Sequence, residues 1–304
     1  MAQPQTKPQV SVVLPFRSHG DLLAQACNSL LAQSLTDWEA ILVADRADQE
    51  LVASVQQFCS RDPRFRLLHV ADRNHAPGPW LARNLGVGAA CAPLIAFLDA
   101  DDLWHPSKLQ LQLQLHQAQG IDLSVTGYHR FRHQDQRIVE TRIPPPQLNY
   151  RRLLAGNAIP LASVVIRREL LLGPTGVEAF RPEPHEDYGL WMRLFQRQPS
   201  LLYGCVTTPL MAYRLHPSSL SAKRYRSVLA VERLFRDHQS ATAPRLLLCG
   251  RWLLLRLAET VRGELRGLRR GHPNLDKAFG ALPAAAAVPA STNGCGDPVS
   301  AETA

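Results

Sequence analysis

The chain has 304 residues, of which 45% are hydrophobic and 20% charged, and its 34 Lys and Arg exceed its 26 Asp and Glu. That length is ample for one large domain or two closely joined ones, and the composition excludes a disordered or fibrous protein. No uncharged apolar run of about 18 residues occurs, so no spanning helix is expected, and the polar start MAQPQTKPQ predicts no secretory leader.

The six cysteines, Cys27, Cys59, Cys91, Cys205, Cys249 and Cys295, show neither a CxxC pair nor zinc-ligand spacing. They read as reduced thiols of a cytoplasmic protein. Arginines cluster at 130–152 (Arg130, Arg132, Arg137, Arg142, Arg151, Arg152), at 223–236 and at 245–270. The first two clusters either face a phosphate-bearing ligand or lie in solvent. No zinc finger or aromatic-interleaved basic pattern accompanies them, so nucleic acid is not expected as a partner.

In chain order, Val10-Ser11-Val12-Val13-Leu14-Pro15 is a short apolar, β-branched run that predicts a buried strand. From Asp21 to Ser34, the residues Leu22, Leu23, Ala26, Leu30 and Leu31 recur at helical spacing. Trp38 to Ala44 predicts a second strand, Leu51 to Phe58 a second helix, and Phe65 to Val70 a third strand. Pro79 to Ala90 reads as a third helix, with the proline near its first turn, where a missing N–H does no harm. Pro93 to Leu98 is a fourth strand. Apolar strands alternating with helices predict an α/β fold, with a mostly parallel sheet covered by helices on both faces. Ligands of such sheets bind beyond the carboxyl ends of the strands.

Three of those ends carry polar chemistry: Pro15-Phe16-Arg17-Ser18, Asp45-Arg46-Ala47-Asp48 and Asp99-Ala100-Asp101-Asp102. The last puts three carboxyls within four residues. Like charges so close repel unless a cation compensates, and Mg2+ or Mn2+ with oxygen ligands is the natural one. The other reading is a solvated turn that caps the helix beginning near His105-Pro106. No GxGxxG follows the first strand and no GxxxxGK[ST] occurs, so a dinucleotide fold and a P-loop NTPase lose their main support.

The order of the pieces resembles the family 2 glycosyltransferases of the GT-A fold. The matching pieces are Val10 to Pro15, LLAQSLTDWEAILVAD, Ala82-Arg83-Asn84, FLDADD, His185-Glu186-Asp187-Tyr188-Gly189-Leu190-Trp191, and Tyr213-Arg214-Leu215-His216. Together they span residues 9–225. The resemblance implies an inverting, metal-dependent transfer of a single sugar from a nucleotide-sugar, a UDP-sugar first. The acceptor hydroxyl belongs to a saccharide, a lipid-linked molecule or a protein. It implies that Asp45 reads the donor base, with Pro15 and Arg17 beside it, and that Arg83 lies near base and phosphates. Asp99 and Asp101 form the DxD pair, with Asp102 adjoining, and Asp101, Asp102 and His216 are the implied metal ligands. Asp187 matches the general base, with Glu186 beside it. Arg214 and His216 match a C-terminal loop that closes over the donor.

The sequence departs from that pattern at the second strand end, where the usual Gly-Ser turn is replaced by Arg46-Ala47, and after the first strand, where Arg17 replaces an aromatic. Both changes bear on the donor base. The remaining residues suit the chemistry. A diphosphate leaving group builds negative charge that a metal stabilises, and a carboxylate takes the proton of the acceptor hydroxyl. Glu186 and Asp187 also sit where acids favour a helix N-terminus, a role compatible with catalysis. Trp104 either stacks a sugar or packs in the core. Asn157 either touches the acceptor or makes a turn.

The expected organisation is a GT-A domain over 9–238, with a nucleotide-sugar half (9–105) and an acceptor half (106–238). The acceptor half opens with a helix from His105 to Gly120, whose Gln-rich side reads as solvated. Strands follow at Ile121 to Tyr128 and Ile138 to Ile143, then the stiff loop Pro144-Pro145-Pro146. Residues 239–271 read as a cationic amphipathic extension that packs on the domain or lies on an anionic membrane surface, which would make the protein peripheral to the inner face. Arg251-Trp252 is similar to the end of the QxxRW signature of processive synthases, but position 248 is Leu, so single transfer is expected. Residues 272–304 are expected to lack structure. Two other functions fit the same sheet less well. A nucleotidyltransferase would need a Gly-rich basic loop after the first strand, and a non-catalytic membrane-associated scaffold would not need the intact acidic segments.

Overall fold

A computed structural model describes residues 7–215 apart from 72, 73, 75, 77, 174, 175, 178 and 184, together with 235, 236, 250, 254 and 273–280. Strand β1 (Val10–Phe16) is buried along its whole length, as its apolar run requires. Its one hydroxyl is fully used: Ser11 donates to Glu39 Oε1 at 2.6 Å and accepts from the backbone N–H of Ala92 at 3.0 Å. Strands β2 (Trp38–Ala44) and β4 (Leu94–Phe97) flank β1 in parallel, and β3 (Phe65–His69) continues the parallel set beyond β2. Helices α1 (Gly20–Leu31), α2 (Gln49–Cys59) and α3 (Trp80–Ala89) make the crossovers. Asp48 caps α2, accepting from the N–H of Leu51 at 2.7 Å.

Alternation along β1 divides the core between the two faces of the sheet. Val13 joins α3 and the acceptor-side helices on one face, while Val10, Val12 and Leu14 pack with α1 and α2 on the other. Helix α3 lies so close to β1 that a Cβ on Gly86 would overlap the Val13 side chain.

The second half is more mixed than the parallel reading. After β5 (Leu103–Trp104) and α4 (Lys108–Gln119) come β6 (Leu123–Arg132), β7 (Ile138–Arg142) and the short helix α5 (Tyr150–Leu153). Strand β8 (Val165–Arg167) follows, then the two-residue strands β9 (Leu172–Gly173) and β10 (Gly176–Val177), helix α6 (Glu186–Arg197) and the long β11 (Tyr203–Leu215). The sheet order is β3-β2-β1-β4-β8-β6-β11-β5, with β7 paired to β6. β8 runs antiparallel to both β4 and β6, and so joins the parallel half to the β6–β11 pair, itself parallel. Among the described residues no helix is long and apolar enough to cross a membrane.

Two expectations need correction. The polar side of α4 is not all solvated: Lys108, Gln112 and His116 are buried on one i, i+4 stripe. They face a polar wall, where Gln112 Nε2 donates to the carbonyls of Ser124 and Ser163 and Gln112 Oε1 accepts from Lys108 Nζ at 2.8 Å. Nor is the whole stretch after 272 without structure. Helix α7 (Leu275–Phe279) docks on the β6–β7 hairpin, with Leu275 and Phe279 buried among Leu103, Phe131, Ile138 and Ala212. Backbone bonds tie it down, from Ile138 N to Pro273 O and from Leu275 N to Gln136 O. The amphipathic segment expected at 239–271 lies outside the described residues, except for 250 and 254.

The structure also sorts the first arginine cluster. Arg130 and Arg142 both pair with Glu140 at 2.8 Å, and Arg132 and Arg137 both pair with Asp135. Those four guanidiniums share two carboxylates within the hairpin itself, while Arg151 and Arg152 are exposed on α5.

Candidate functional site

The carboxyl ends of β1, β2 and β4 open toward one side of the sheet, and three elements meet there around Arg83. Helix α3 carries this arginine into the protein, where it is 6% exposed. Its Nη2 donates to Asp99 Oδ1 at 2.7 Å, just after β4, and its Nη1 donates to Glu186 Oε1, the first residue of α6. One guanidinium thus joins the acidic strand end to the acid pair on α6. Burial alone would lower the Arg83 pKa, but Asp99 and Glu186, with Asp187 behind them, reverse the sign and hold it raised. Burial raises the carboxyl of Glu186, Arg83 opposes that rise, and Asp187 and Asp99 add to it.

Glu186 and Asp187 occupy the first turn of α6, entered through His185 in the left-handed region at φ 54°. No side chain caps this helix, so the two acids supply the negative charge its N-terminus favours. Asn157 reaches across from the loop after α5 and donates Nδ2 to Asp187 Oδ2 at 2.9 Å. Its Oδ1 accepts from the N–H of Ile159 at 3.1 Å. Asn157 therefore makes its own turn and also contacts the proposed base. Tyr188, next along α6, donates its hydroxyl to the carbonyl of Leu153 and seats α6 on α5.

The acidic turn is tight, with Asp102 N bonded to Asp99 O at 3.1 Å. Asp102 is 1% exposed; its Oδ1 accepts from the backbone N–H of Arg214, while its Oδ2 is buried without a hydrogen-bond partner. Burial first, then the charges of Asp101 and Asp99, push its carboxyl well above the usual range. Arg214 is not on a closing loop, as the resemblance implied. It lies in β11, fully buried, because its guanidinium has fixed partners: Nε donates to Asp101 O at 2.7 Å and Nη2 to Gln25 Oε1 at 2.9 Å. It also stacks over Phe131 at 4.8 Å and so braces the acidic turn from behind.

Trp104 is no sugar platform. Its ring is fully buried, its indole N–H donates to Ala162 O at 2.8 Å, and Lys108 Nζ covers a face at 4.0 Å. Among the described residues no three Asp, Glu, His or Cys converge as a metal cage. Asp99 is drawn to Arg83, Asp102 lies against Arg214, and Asp101 sits half-buried between them. His216 falls outside the described residues.

On the opposite flank, Pro15 is buried in β1, Arg17 is exposed just past it, and Asp45 is buried at the end of β2 with its N–H bonded to Phe16 O. Arg46, where the sequence lacks a Gly-Ser turn, still makes a left-handed turn at φ 56°. A cavity of about 340 Å³ adjoins it, lined by Ala44, Arg46, Val52, His69 and Val70 among others.

A family model described as glycosyl transferase family 2 matches residues 11–169. The chain belongs to that family. This glycosyltransferase is 27% identical over 219 residues to the UDP-Glc:alpha-D-GlcNAc-diphosphoundecaprenol beta-1,3-glucosyltransferase WfgD of Escherichia coli, covering 72% of this chain and 82% of that one. It is 27% identical over 232 residues to the putative teichuronic acid biosynthesis glycosyltransferase TuaG of Bacillus subtilis, covering 76% and 88%. S. aureus TarS 1-349, solved in complex with UDP-GlcNAc, superposes with a TM-score of 0.62 at 15% identity, covering 81% of this chain and 71% of that one. The mannosyltransferase PcManGT of Pyrobaculum calidifontis, solved with GDP-Man and Mn2+, superposes at 0.56 and 17% identity, covering 91% and 77%. The glycosyltransferase thus has the GT-A fold. Its acid pair on α6 lies beyond the segment that the family model matches.

Proposed function

We propose that the enzyme transfers a single sugar, with inversion, from a UDP-sugar to a hydroxyl of a lipid-diphosphate-linked saccharide in cell-envelope polysaccharide synthesis. The observation that carries this reading is the guanidinium of Arg83, bonded to both Asp99 and Glu186. It brings the strand end that would grip a diphosphate and the helix start that would face an acceptor to one location. The E. coli relative, named for a diphosphoundecaprenol-linked acceptor, supports the acceptor class. An acceptor of that kind would bring the enzyme to the inner face of the membrane as a peripheral protein.

In this reading Asp187 accepts the proton of the acceptor hydroxyl as the new bond forms, on the side opposite the departing diphosphate. Asp45 and Pro15 hold the donor base, with Arg17 at the rim. Arg83 fixes Asp99 and Glu186, which keeps two acids from repelling each other and the incoming donor.

The acidic turn fits a hard divalent cation. Its ligands are carboxylate oxygens, and Asp102 Oδ2 is a buried oxygen still lacking a hydrogen-bond partner. Asp99, Asp101 and Asp102 are the residues that would hold Mg2+ or Mn2+, with donor phosphates completing the shell. When bound, the ion would neutralise charge on the leaving diphosphate.

The test uses Asp187→Asn and a panel of nucleotide-sugars with Mn2+. The variant is expected to bind donor as the parent does and to release no nucleoside diphosphate above background. Release at the parent rate would remove Asp187 from the mechanism and the proposal with it.

A further inference from the structure

Asn157 is held from two sides, and that settles which way its amide points. Its Oδ1 accepts from the backbone N–H of Ile159 at 3.1 Å, so the NH2 group must be the end facing Asp187 Oδ2 at 2.9 Å. The reverse orientation would set an NH2 against an N–H and a carbonyl against a carboxylate, losing both bonds. The loop bearing it is anchored, because it follows α5, whose last residue Leu153 is fully buried and accepts from Tyr188 on α6. The same helix therefore presents Asp187 and fixes the loop that contacts it.

An aspartate has two oxygens, and a base needs one of them free and correctly aimed. Among the described residues, Glu186 on its own turn and Arg83 from α3 also act on Asp187 electrostatically. Arg83 spends its two terminal nitrogens on Asp99 and Glu186. Neither neighbour sets the rotation of the Asp187 carboxylate. A donated hydrogen bond to Oδ2 does so, and it leaves Oδ1 for the acceptor hydroxyl.

We infer that Asn157 is a positioning residue, which orients the Asp187 carboxylate so that Oδ1 receives the acceptor proton. The inference rests on the base assignment made above. It predicts loss of turnover without loss of donor affinity. Misalignment of a base in an otherwise intact site lowers rate rather than ground-state binding.

Two variants separate this role from a purely structural one. Asn157→Ala removes both bonds. Asn157→Asp keeps the shape and the acceptor for Ile159 N–H, but turns the group facing Asp187 from a donor into a second carboxylate. The assay follows nucleoside diphosphate release from UDP-glucose, UDP-N-acetylglucosamine and GDP-mannose with Mn2+, alongside donor Kd by calorimetry and thermal unfolding. Both variants should lose about ten- to hundredfold in kcat, with donor Kd unchanged within about twofold, and Asn157→Asp should melt with the parent.

Full kcat in Asn157→Asp, or a rate loss matched by a loss of donor affinity, would overturn the inference while leaving Asp187 as base. Full activity of Asp187→Asn, or no release by the parent on any of the three donors, would instead bring down the functional reading and this inference with it.

Discussion

Replacing Arg83 with methionine isolates the energetic weight of the junction. The variant keeps an unbranched stem but leaves Glu186, whose side chain is 16% exposed, without its cation. Removing one partner of a buried ion pair costs about 3–5 kcal/mol. The Asp99 arm is discounted, because that side chain is 31% exposed and solvent screens it; it adds under about 1 kcal/mol. At neutral pH the loss should be about 4 kcal/mol, which lowers Tm by roughly 10 °C in a domain of this size. The loss also depends on pH. Burial and neighbouring acids already raise the Glu186 carboxyl above 4.5, and Arg83 is the cation restraining that rise. Without Arg83 the folded value climbs further. A carboxyl raised in the folded state favours folding below its unfolded pKa, and that contribution is lost as pH rises through the folded value. The deficit of Arg83→Met should therefore be small near pH 4 and grow toward pH 7.5. Adding Glu186→Gln should recover most of it at pH 7.5. Thermal melts of parent, single and double variants from pH 4 to 8 make the measurement. A single variant within 2 °C of the parent at pH 7.5, or a deficit equal at both ends of the range, would refute the electrostatic account.

Gly86→Val should lower stability by about 1–3 kcal/mol, because the new side chain overlaps Val13; Val13→Ala should offset part of that in a denaturant titration. Gln112→Leu strips Lys108 of its hydrogen-bond acceptor and two buried carbonyls of a donor, and should cost about 2–4 kcal/mol in the same titration. Arg46→Gly should stabilise by about 1 kcal/mol, because glycine adopts φ 56° without the penalty that a side chain carries there; an unchanged or lower melting point would contradict this. Phe279→Ala empties a place beside Phe131, on which Arg214 stacks. It should cost about 3 kcal/mol of stability and weaken Mn2+-dependent donor binding, as calorimetry would register.

The parallel half was legible because each strand is a short apolar run and each crossover helix has a regular stripe. The expected Trp38 to Ala44 strand has the observed bounds, and the third helix differs by one residue at each end. In the second half α4, β6 and β7 were legible, but β5, β8 and β11 were not, since they acquire their strand character from partners distant in the chain. Trp104 looked like a site residue because it follows the acidic turn, but β5 pairs with β11 and turns its ring inward. Gln112 of α4 carried no sign of burial, because the polar wall it answers comes from β6 and the turn before β8. Asp99 stands out as part of the carboxyl cluster after the fourth strand and Glu186 through the resemblance, but no spacing rule links Arg83 to an acid 103 positions away. The pairing of Asn157 with Asp187 was equally invisible, since it spans 30 positions and joins two loop-to-helix junctions.

The docking of α7 has a topological consequence. The chain departs from β11 at Leu215, whose carbonyl accepts from His133 N, and is back on the same hairpin at Pro273, whose carbonyl accepts from Ile138 N. The two ends of the 216–272 segment are thus stitched to neighbouring rungs of one hairpin, and within it Phe235 is fully buried in the main core beside Tyr188. Chain length between such anchor points weighs little by itself, since halving a loop changes its closure entropy by only about 0.6 kcal/mol. A Gly-Ser bridge in place of the whole segment would remove Phe235 from behind Tyr188, and with it part of the packing that seats the helix bearing the acid pair.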